Sequence, residues 1–252
     1  MTAAGAVFPM YDFDELGWAH SRLWHAVIAY ARRAGWSGSV PLLQVCGYPL
    51  VRSLRTLYDV VAAPCYDAAF CGEATHRGLL VVAADAPYAG LENLRGARFA
   101  ANALESNTGT NLPRHLIAAL AGGGRFFRQV IVTGSHAASL DAVRDGDADV
   151  TSVDSVTFAL LAEHRPRAVA GVRILAVTEA SPTPPFVTPR STKPRVRALL
   201  YDALAAAVAA RELADALRAL RLSGIRPARL ETYAVLTRFE SEAVTLGYGE
   251  LA

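Results

Sequence analysis

The chain has few cysteines and little net charge. Only 3 of its 252 residues are cysteine, and Cys46, Cys65 and Cys71 contain no C-x-x-C pair, so no structural zinc site is predicted. Whether Cys65 pairs with Cys71 stays open, because a disulfide needs an oxidising compartment. The formal charge of +2 is small for a nucleic-acid-binding protein of this length. No nucleic acid partner is therefore expected.

The sequence also lacks a long apolar run and a recognisable export signal. Residues 78–84 are apolar, but Asp85 and Pro87 follow, and no run reaches the roughly 18 apolar residues of a membrane-spanning helix. Residues 1–9 have neither the basic start nor the apolar core and cleavage site of a secretory signal. The sequence predicts no membrane span, and its first residues predict a chain that is not exported.

Several motifs of common enzyme classes are missing. The chain has no G-x-S-x-G elbow, no G-x-x-x-x-G-K-[ST] phosphate loop and no H-E-x-x-H motif, and the three glycines at 122–124 do not complete a dinucleotide fingerprint. These absences argue against a hydrolase, an NTPase and a dehydrogenase. Neither a cofactor nor a metal site is predicted.

What the sequence does have is the pattern of an α/β protein. Hydrophobic residues make up 52% and charged residues 19%, a globular balance. Apolar strand-like runs alternate with amphipathic helical segments, which is typical of helices packed on a mainly parallel sheet. The predicted strands are 42–46, 59–63, 78–84, 97–101, 129–132, 149–152 and 172–178. The predicted helices are 14–33 with a capping box at Asp12 and Glu15, 108–121, 135–144, 155–164, and most of the remainder from about 193.

One segment between a predicted strand and a predicted helix has the composition of an anion cradle. Residues 102–110 carry the hydroxyls of Ser106, Thr108 and Thr110 and the small residue Gly109. Hydroxyls and unpaired N–H groups at a helix N-terminus can bind the oxygens of an anion. Ordinary capping of the helix by Ser106 or Thr108 is the alternative interpretation of the same residues.

Two further strand-to-helix junctions follow the same plan. Gly134 precedes Ser135 and His136 at one helix start, where an imidazole can donate a hydrogen bond to a phosphoryl oxygen. Asp154 precedes the next helix and would accept a hydrogen bond from a protonated oxyanion or pair with a ligand amine. A structural histidine and a plain N-cap are the alternatives for His136 and Asp154.

Two tyrosines stand at strand ends in the first part of the chain. Tyr11 follows the initial strand and Tyr48 follows the second. Each could donate its phenolic hydroxyl to a ligand. For Tyr11, packing at the edge of the core is the favoured interpretation.

Five motifs stand out by their order and spacing: Gln44-Val45-Cys46-Gly47-Tyr48-Pro49, Leu94-Arg95-Gly96 leading to Ala101-Asn102, Ser106-Asn107-Thr108-Gly109, Gly134-Ser135-His136-Ala137-Ala138-Ser139, and Gly146-Asp147-Ala148-Asp149 before Val153-Asp154. With these motifs, the chain resembles, over roughly residues 8–189, the phosphate-, phosphite- and phosphonate-binding proteins of bacterial ABC importers. The resemblance implies a two-lobed periplasmic-binding-protein-like fold of type II, with a mainly parallel sheet flanked by helices in each lobe and two hinge crossovers. Residues 1–84 and 181–252 would form lobe I, and residues 85–180 lobe II.

The resemblance also implies roles for individual residues. The oxyanion would be held by the helix start that carries Ser106, Thr108, Gly109 and Thr110. His136 would donate from the adjacent junction, Tyr48 would close from lobe I, and Asp154 would face a ligand proton or amine. Where the family commonly has a tyrosine before the strand that enters the hinge, this chain has Thr75-His76-Arg77. His76 therefore takes the place of an aromatic hydroxyl, which leaves the identity of the ligand open.

The function implied by the resemblance is capture of a small oxyanion in an inter-lobe cleft, as the substrate-binding component of an ABC importer, without catalysis. Its partners would be the ligand and the membrane subunits of a transporter. Two alternatives on the same scaffold are a cytoplasmic enzyme, with His136 and Asp154 as an acid–base pair, and a ligand sensor. The resemblance implies a periplasmic protein and the first residues do not, so the compartment stays open.

Overall fold

The computed structural model describes residues 6–7, 10–38 and 42–252. The strands, in chain order, are β1 (Ala6–Val7), β2 (Leu42–Gln44), β3 (Tyr58–Tyr66), β4 (Thr75–His76), β5 (Gly78–Ala83), β6 (Arg98–Ala101), β7 (Gln129–Val132), β8 (Val150–Asp154), β9 (Val172–Val177), β10 (Ser181–Pro182), β11 (Phe186–Pro189) and β12 (Leu222–Arg226). The helices are α1 (Gly17–Arg33), α2 (Gly47–Pro49), α3 (Leu112–Ala121), α4 (His136–Arg144), α5 (Ser155–His164), α6 (Pro194–Ala209), α7 (Ala214–Ala219) and α8 (Ala234–Thr245). Most predicted helices and strands are therefore present, with ends shifted by a few residues.

The chain forms two compact units. Unit 1 contains the described residues up to Thr75 and the segment Pro182–Tyr233, and unit 2 contains His76–Ser181 and Ala234–Ala252. The sequence prediction instead divides the chain after residues 84 and 180 and leaves the C-terminus in the first lobe. The difference arises because β5 pairs with β8 and β9 of unit 2, and because Tyr248 and Leu251 pack in the core of unit 2.

The sheet of unit 1 has the strand order β1-β2-β11-β3-β12. Only β1 and β2 run parallel, while β11 is antiparallel to β2 and β3, and β12 is antiparallel to β3. Helix α1 buries an apolar face that includes Leu23 and Val27, spaced about one helical turn apart. The predicted capping box of α1 is wrong, since the residue before its first turn is Phe13, which makes no side-chain cap.

The sheet of unit 2 has the order β7-β6-β8-β5-β9. Strands β7, β6 and β8 are parallel, and β5 is antiparallel to both β8 and β9. The prediction of mainly parallel sheets therefore needs correction, since both sheets are mixed. Successive strand–helix units produce the parallel pairs β7–β6 and β6–β8, whereas strands that are distant in sequence join as antiparallel neighbours.

Aromatic side chains and the C-terminal helix build the core of unit 2. Phe127 packs against Phe99 and Phe126, with ring centroids 4.9 Å and 5.0 Å apart. The three glycines at 122–124 end α3, where Gly122 adopts a left-handed conformation with φ of 65°, which costs glycine little. This core supports the sheet edge at which three helices begin.

Candidate functional site

Three helices begin at one edge of the sheet of unit 2. Strands β7, β6 and β8 are adjacent and parallel, with Ala101 opposite Val132 and Phe99 opposite Val150. Each strand leads into a helix: β6 into the turn before α3, β7 into α4 and β8 into α5. The carboxyl ends of parallel strands lie at the same edge, so the three helix N-termini converge there, which is where α/β sheets bind ligands.

The helix that follows β6 begins with a π-helical turn, Asn107–Asn111. Its first backbone hydrogen bond runs from the N–H of Asn111 to the carbonyl of Ser106, at 3.0 Å. The N–H of Gly109 donates to the Ser106 hydroxyl at 3.0 Å. The N–H groups of Asn107, Thr108 and Thr110 precede the ladder and have no partner within the helix. A π-turn leaves one more such donor than an α-helical turn.

Close packing at Gly109 shapes this turn. A Cβ atom at residue 109 would lie 1.8 Å from Oδ1 of Asn102 and 3.0 Å from the Ser106 hydroxyl. Oδ1 of Asn102 is buried without a hydrogen-bond partner, which is costly for a polar atom. A side chain at 109 would therefore require the Asn102 amide, which has unused hydrogen-bonding capacity beside the turn, to move.

Thr108 and His136 bring the first two helix starts together. Oγ1 of Thr108 and Nε2 of His136 are 3.4 Å apart, at the long end of the range for a hydrogen bond. The Thr108 side chain is buried, and its carbonyl accepts a hydrogen bond from the Ser152 hydroxyl. The hydroxyl and the imidazole therefore retain most of their capacity for another partner.

The protonation of His136 follows from its surroundings. Burial lowers its pKa to about 4, and the charge of Asp154 and the nearby carbonyl of Ser152 offset this only in part, while His76 lowers the pKa further. Its Nδ1 atom is buried and makes no well-formed hydrogen bond. At neutral pH, His136 is an uncharged imidazole that can donate one N–H.

Asp154 and His76 form a buried pair behind the helix starts. Nδ1 of His76 contacts Oδ2 of Asp154, and Oδ1 of Asp154 accepts the N–H of Thr157 at 2.8 Å. His76 is 3% exposed and Asp154 is 2% exposed. Burial raises the pKa of Asp154, but His76, His136 and the Thr157 N–H lower it by more, so its pKa lies below the ordinary value. The carboxylate stays ionised, with both oxygens occupied.

The remaining residues predicted for the site in unit 2 make structural hydrogen bonds at the helix starts. Ser135 caps α4 by accepting the N–H of Ala138 at 3.1 Å, and the Thr110 hydroxyl donates to the carbonyl of Ala103 at 2.7 Å. Ser106 and Asp154 also cap helices, as the alternative interpretation states. Their side chains therefore shape the helix starts, while the predicted ligand contacts of these residues stay predictions.

The two predicted tyrosines belong to unit 1. Tyr48 is fully buried in α2, with the guanidinium of Arg52 5.3 Å from its ring centroid. Tyr11 is buried and packs edge-on against Tyr66 at 5.2 Å, consistent with the interpretation as a core-edge residue. A ligand contact by either tyrosine remains a prediction from the resemblance.

Three residues that support the site were not predicted from the sequence. Asn102 packs beside Gly109, and Ser152 holds the carbonyl of Thr108. At Gly78, a Cβ atom would lie 3.0 Å from that carbonyl and 2.9 Å from the Ser152 hydroxyl. A glycine as the first residue of an otherwise apolar strand is the one signal that could have indicated a close approach of backbones.

Comparison with solved structures defines the fold class. A binding protein component of an ABC phosphonate transporter from Pseudomonas aeruginosa is 14% identical, with a TM-score of 0.76 over 96% of this chain and 87% of that chain. XAC2383 from Xanthomonas citri bound to ATP is 16% identical, with a TM-score of 0.72 over 96% and 97%. PhnD1 from Prochlorococcus marinus in complex with methylphosphonate is 14% identical, with a TM-score of 0.62 over 87% and 82%. The chain has the type II periplasmic-binding-protein fold, which confirms the predicted fold class.

The family model described as the periplasmic substrate-binding protein of a phosphonate ABC transporter matches residues 33–233. The chain belongs to this family. No curated protein matches it. Membership confirms the predicted resemblance and the predicted solute-binding role, and it confirms that the chain is a substrate-binding protein and not an enzyme.

Family membership also implies a small-molecule ligand and a transporter as partners. Among the described residues, none of the helices has the length and apolar character needed to cross a membrane. Within the same part of the chain, no group of three or more histidine, cysteine and acidic residues is arranged to hold a metal ion. Cys46, Cys65 and Cys71 form no disulfide bond in this structure.

Proposed function

We propose that unit 2 binds the phosphoryl or phosphonyl group of a small oxyanion at the start of the π-turn. The observation that carries the proposal is the set of unpaired N–H groups of Thr108 and Thr110 beside the Thr108 hydroxyl and the neutral His136 imidazole. These groups are all hydrogen-bond donors. Oxygens of an anion at a helix N-terminus accept such bonds and interact favourably with the helix dipole.

The carboxylate in the neighbourhood is compatible with an anion. Asp154 is buried, and its two oxygens accept hydrogen bonds from His76 and from the N–H of Thr157. A carboxylate that accepts hydrogen bonds inside the protein is partly neutralised, which reduces its repulsion of a ligand oxygen. The donors of Thr108 and His136 are therefore the polar groups left for a ligand.

Methylphosphonate is the first ligand to test. PhnD1, which shares the fold, is described in complex with methylphosphonate, and the Pseudomonas aeruginosa relative is described as a component of a phosphonate transporter. The transporter partner of this chain would be the membrane subunits of an ABC importer. XAC2383, with the same fold, is described with bound ATP, so a larger phosphate-bearing ligand belongs in the same panel.

Thermal unfolding and calorimetric titration test the proposal. The wild-type protein is measured with methylphosphonate, phosphite, phosphate, sulfate and ATP. A ligand at about 100 times its Kd adds roughly 2.7 kcal/mol to stability, which raises the Tm by several degrees. Stabilisation by phosphorus oxyanions, with measurable heat of binding, supports the proposal. Stabilisation by none of them contradicts it.

A further inference from the structure

The pair formed by His76 and Asp154 changes what the site can accept. A buried carboxylate at a binding site that has no partner within the protein is the natural partner of a ligand ammonium group. Here Oδ2 of Asp154 contacts Nδ1 of His76, and Oδ1 accepts the N–H of Thr157 at 2.8 Å. Both oxygens are already engaged by groups of the same unit. An ammonium would have to compete with these donors for a carboxylate that is 2% exposed.

Displacement of His76 would carry a large cost. His76 and Asp154 are 3% and 2% exposed, so water cannot replace the broken contact. Breaking one side of a buried, hydrogen-bonded ionisable pair leaves an unsatisfied polar group, which is strongly unfavourable. Protonated His76 neutralises the carboxylate, and neutral His76 still occupies Oδ2 with its Nδ1–H. In both protonation states, Asp154 is unavailable to a ligand amine.

The other groups that face Asp154 do not restore an ammonium site. His136 on α4 is an uncharged imidazole near neutral pH, and Thr157 on α5 contributes a backbone N–H. The N–H groups of His76 and Thr157 are donors, as an ammonium is, and donors do not bind one another. The uncharged His136 imidazole provides no negative charge to balance an ammonium, so the surroundings of Asp154 favour an oxyanion over a cation.

We infer that His76 is a specificity-determining residue, which occupies Asp154 and so restricts the ligand to oxyanions whose substituent carries no positive charge. Phosphite, phosphate and alkylphosphonates fit this description, and aminoalkylphosphonates do not. The inference rests on the proposed oxyanion site of unit 2. It assigns His76 a selective role in place of the ligand-facing role predicted for the aromatic residue that it replaces.

Two ligands of matched size test the inference. Propylphosphonate and 2-aminoethylphosphonate differ in a terminal methyl group against a terminal ammonium group. Calorimetric titration of the wild-type protein should show propylphosphonate binding at least about 30-fold more tightly. Equal affinities, or tighter binding of 2-aminoethylphosphonate, would overturn the inference. An absence of binding by every phosphorus oxyanion would instead overturn the proposed function on which it rests.

Variants of His76 test whether the ligand selectivity comes from the pair of His76 and Asp154 or from a general preference for apolar substituents. In His76→Phe, Asp154 loses its partner, so the affinity ratio of the two ligands should fall at least about tenfold. His76→Leu likewise removes both the N–H donor and the charge, and it should lower the ratio as well if His76→Phe does not fold. His115→Gln, which removes the histidine from a pair with Glu242 on α8, is the matched control and should keep the wild-type ratio. An unchanged ratio in the His76 variants would contradict the inference.

Discussion

The helix starts of the two units show a clear difference in chemistry. In unit 2, the starts of the π-turn, α4 and α5 carry hydroxyl, imidazole and carboxylate groups with unpaired N–H donors between them. In unit 1, α1 begins at Gly17 after an uncapped turn, and α2 holds the buried ring of Tyr48. The helix starts of unit 2 therefore carry polar side chains that the starts of α1 and α2 lack. Substitutions at equivalent features of the two units test whether this difference determines binding.

The largest effect is expected at Gly109. In Gly109→Ala, the new Cβ would meet Oδ1 of Asn102 at 1.8 Å, so the Asn102 amide and the π-turn against it have to shift, at a cost of about 1–3 kcal/mol. Methylphosphonate affinity should fall beyond about 100-fold, because the turn that presents the N–H donors is lost. Calorimetry and thermal unfolding measure both effects.

Gly17→Ala is the control for this prediction in unit 1. Residue 17 starts α1 in a right-handed conformation, and nothing lies within 4 Å of a Cβ at that position. Alanine is favoured over glycine in a helix by about 0.5–1 kcal/mol, so this variant should be slightly more stable and bind normally. Tight binding by Gly109→Ala would show that the π-turn is not the site.

Thr108→Val should have the next largest effect. Valine keeps the shape of threonine but removes a hydroxyl that could donate to the anion, and a hydrogen bond to a charged group contributes about 1.5–3 kcal/mol. Methylphosphonate affinity should therefore fall about 10- to 100-fold by calorimetric titration.

Thr151→Val is the matched control for Thr108→Val. The Thr151 hydroxyl is buried on β8 and donates to the carbonyl of Ala100 at 2.8 Å, so its loss should reduce stability and leave the Kd unchanged. If the two variants lost affinity equally, the loss would reflect general destabilisation of unit 2.

A smaller effect is expected on the pH dependence of stability. Because the pKa of His136 is lowered to about 4 by burial, the unfolded chain takes up a proton between its ordinary pKa of about 6.5 and about 4, and the folded chain does not. The contribution of His136 to stability is therefore complete above this range and decreases as the pH falls through it. In His136→Gln, the Tm should fall less steeply between about pH 7 and 5.

His25→Gln serves as the comparison from unit 1, since His25 is exposed on α1. Its Tm should follow the wild-type dependence on pH. A wild-type slope in His136→Gln would show that His136 is not an uncharged buried imidazole in the folded protein.

The smallest effect is expected at Tyr48. The resemblance assigns this tyrosine a ligand contact, and Tyr48→Phe keeps the ring that lies against Arg52. Loss of the hydroxyl alone should weaken methylphosphonate binding about 3- to 10-fold. Tyr30→Phe is the control, because Tyr30 is likewise stacked by an arginine, Arg33, at 4.3 Å, and it should bind normally. If Tyr48→Phe and Tyr30→Phe bind methylphosphonate with equal affinity, the Tyr48 hydroxyl does not contact the ligand, and the contacts lie in unit 2.

The helices and strands follow from local patterns, and the sheet polarity does not. Periodicity is a property of neighbouring residues, so helix α5 and strand β7 match their predicted ranges. Strand β12 lies in a region predicted to be mainly helical. It was missed because Leu222–Arg226 is short and contains Gly224, so its strand pattern is weak. The antiparallel insertion of β5 beside β8 depends on segments about 70 residues apart, which no local pattern specifies.

In the candidate site, too, some features can be recognised from the local sequence and others depend on the fold. Residues such as Thr108 and His136 are recognisable because they stand at strand-to-helix junctions, where α/β proteins bind ligands. The pairing of His76 with Asp154 joins residues 78 positions apart, and it depends on how β4 and β8 are placed in the fold. The π-turn is likewise a property of backbone geometry, since the same residues could cap an ordinary helix.

The most direct test of the account is the response of the threonine amides to ligand. Protein labelled with ¹⁵N-threonine is titrated with methylphosphonate and followed by amide NMR. The amide signals of Thr108 and Thr110 should move downfield as the site fills, since these N–H groups gain an anionic acceptor, and the signal of Thr151 should stay in place. Saturable binding of methylphosphonate that leaves the Thr108 and Thr110 amides unmoved would contradict the account.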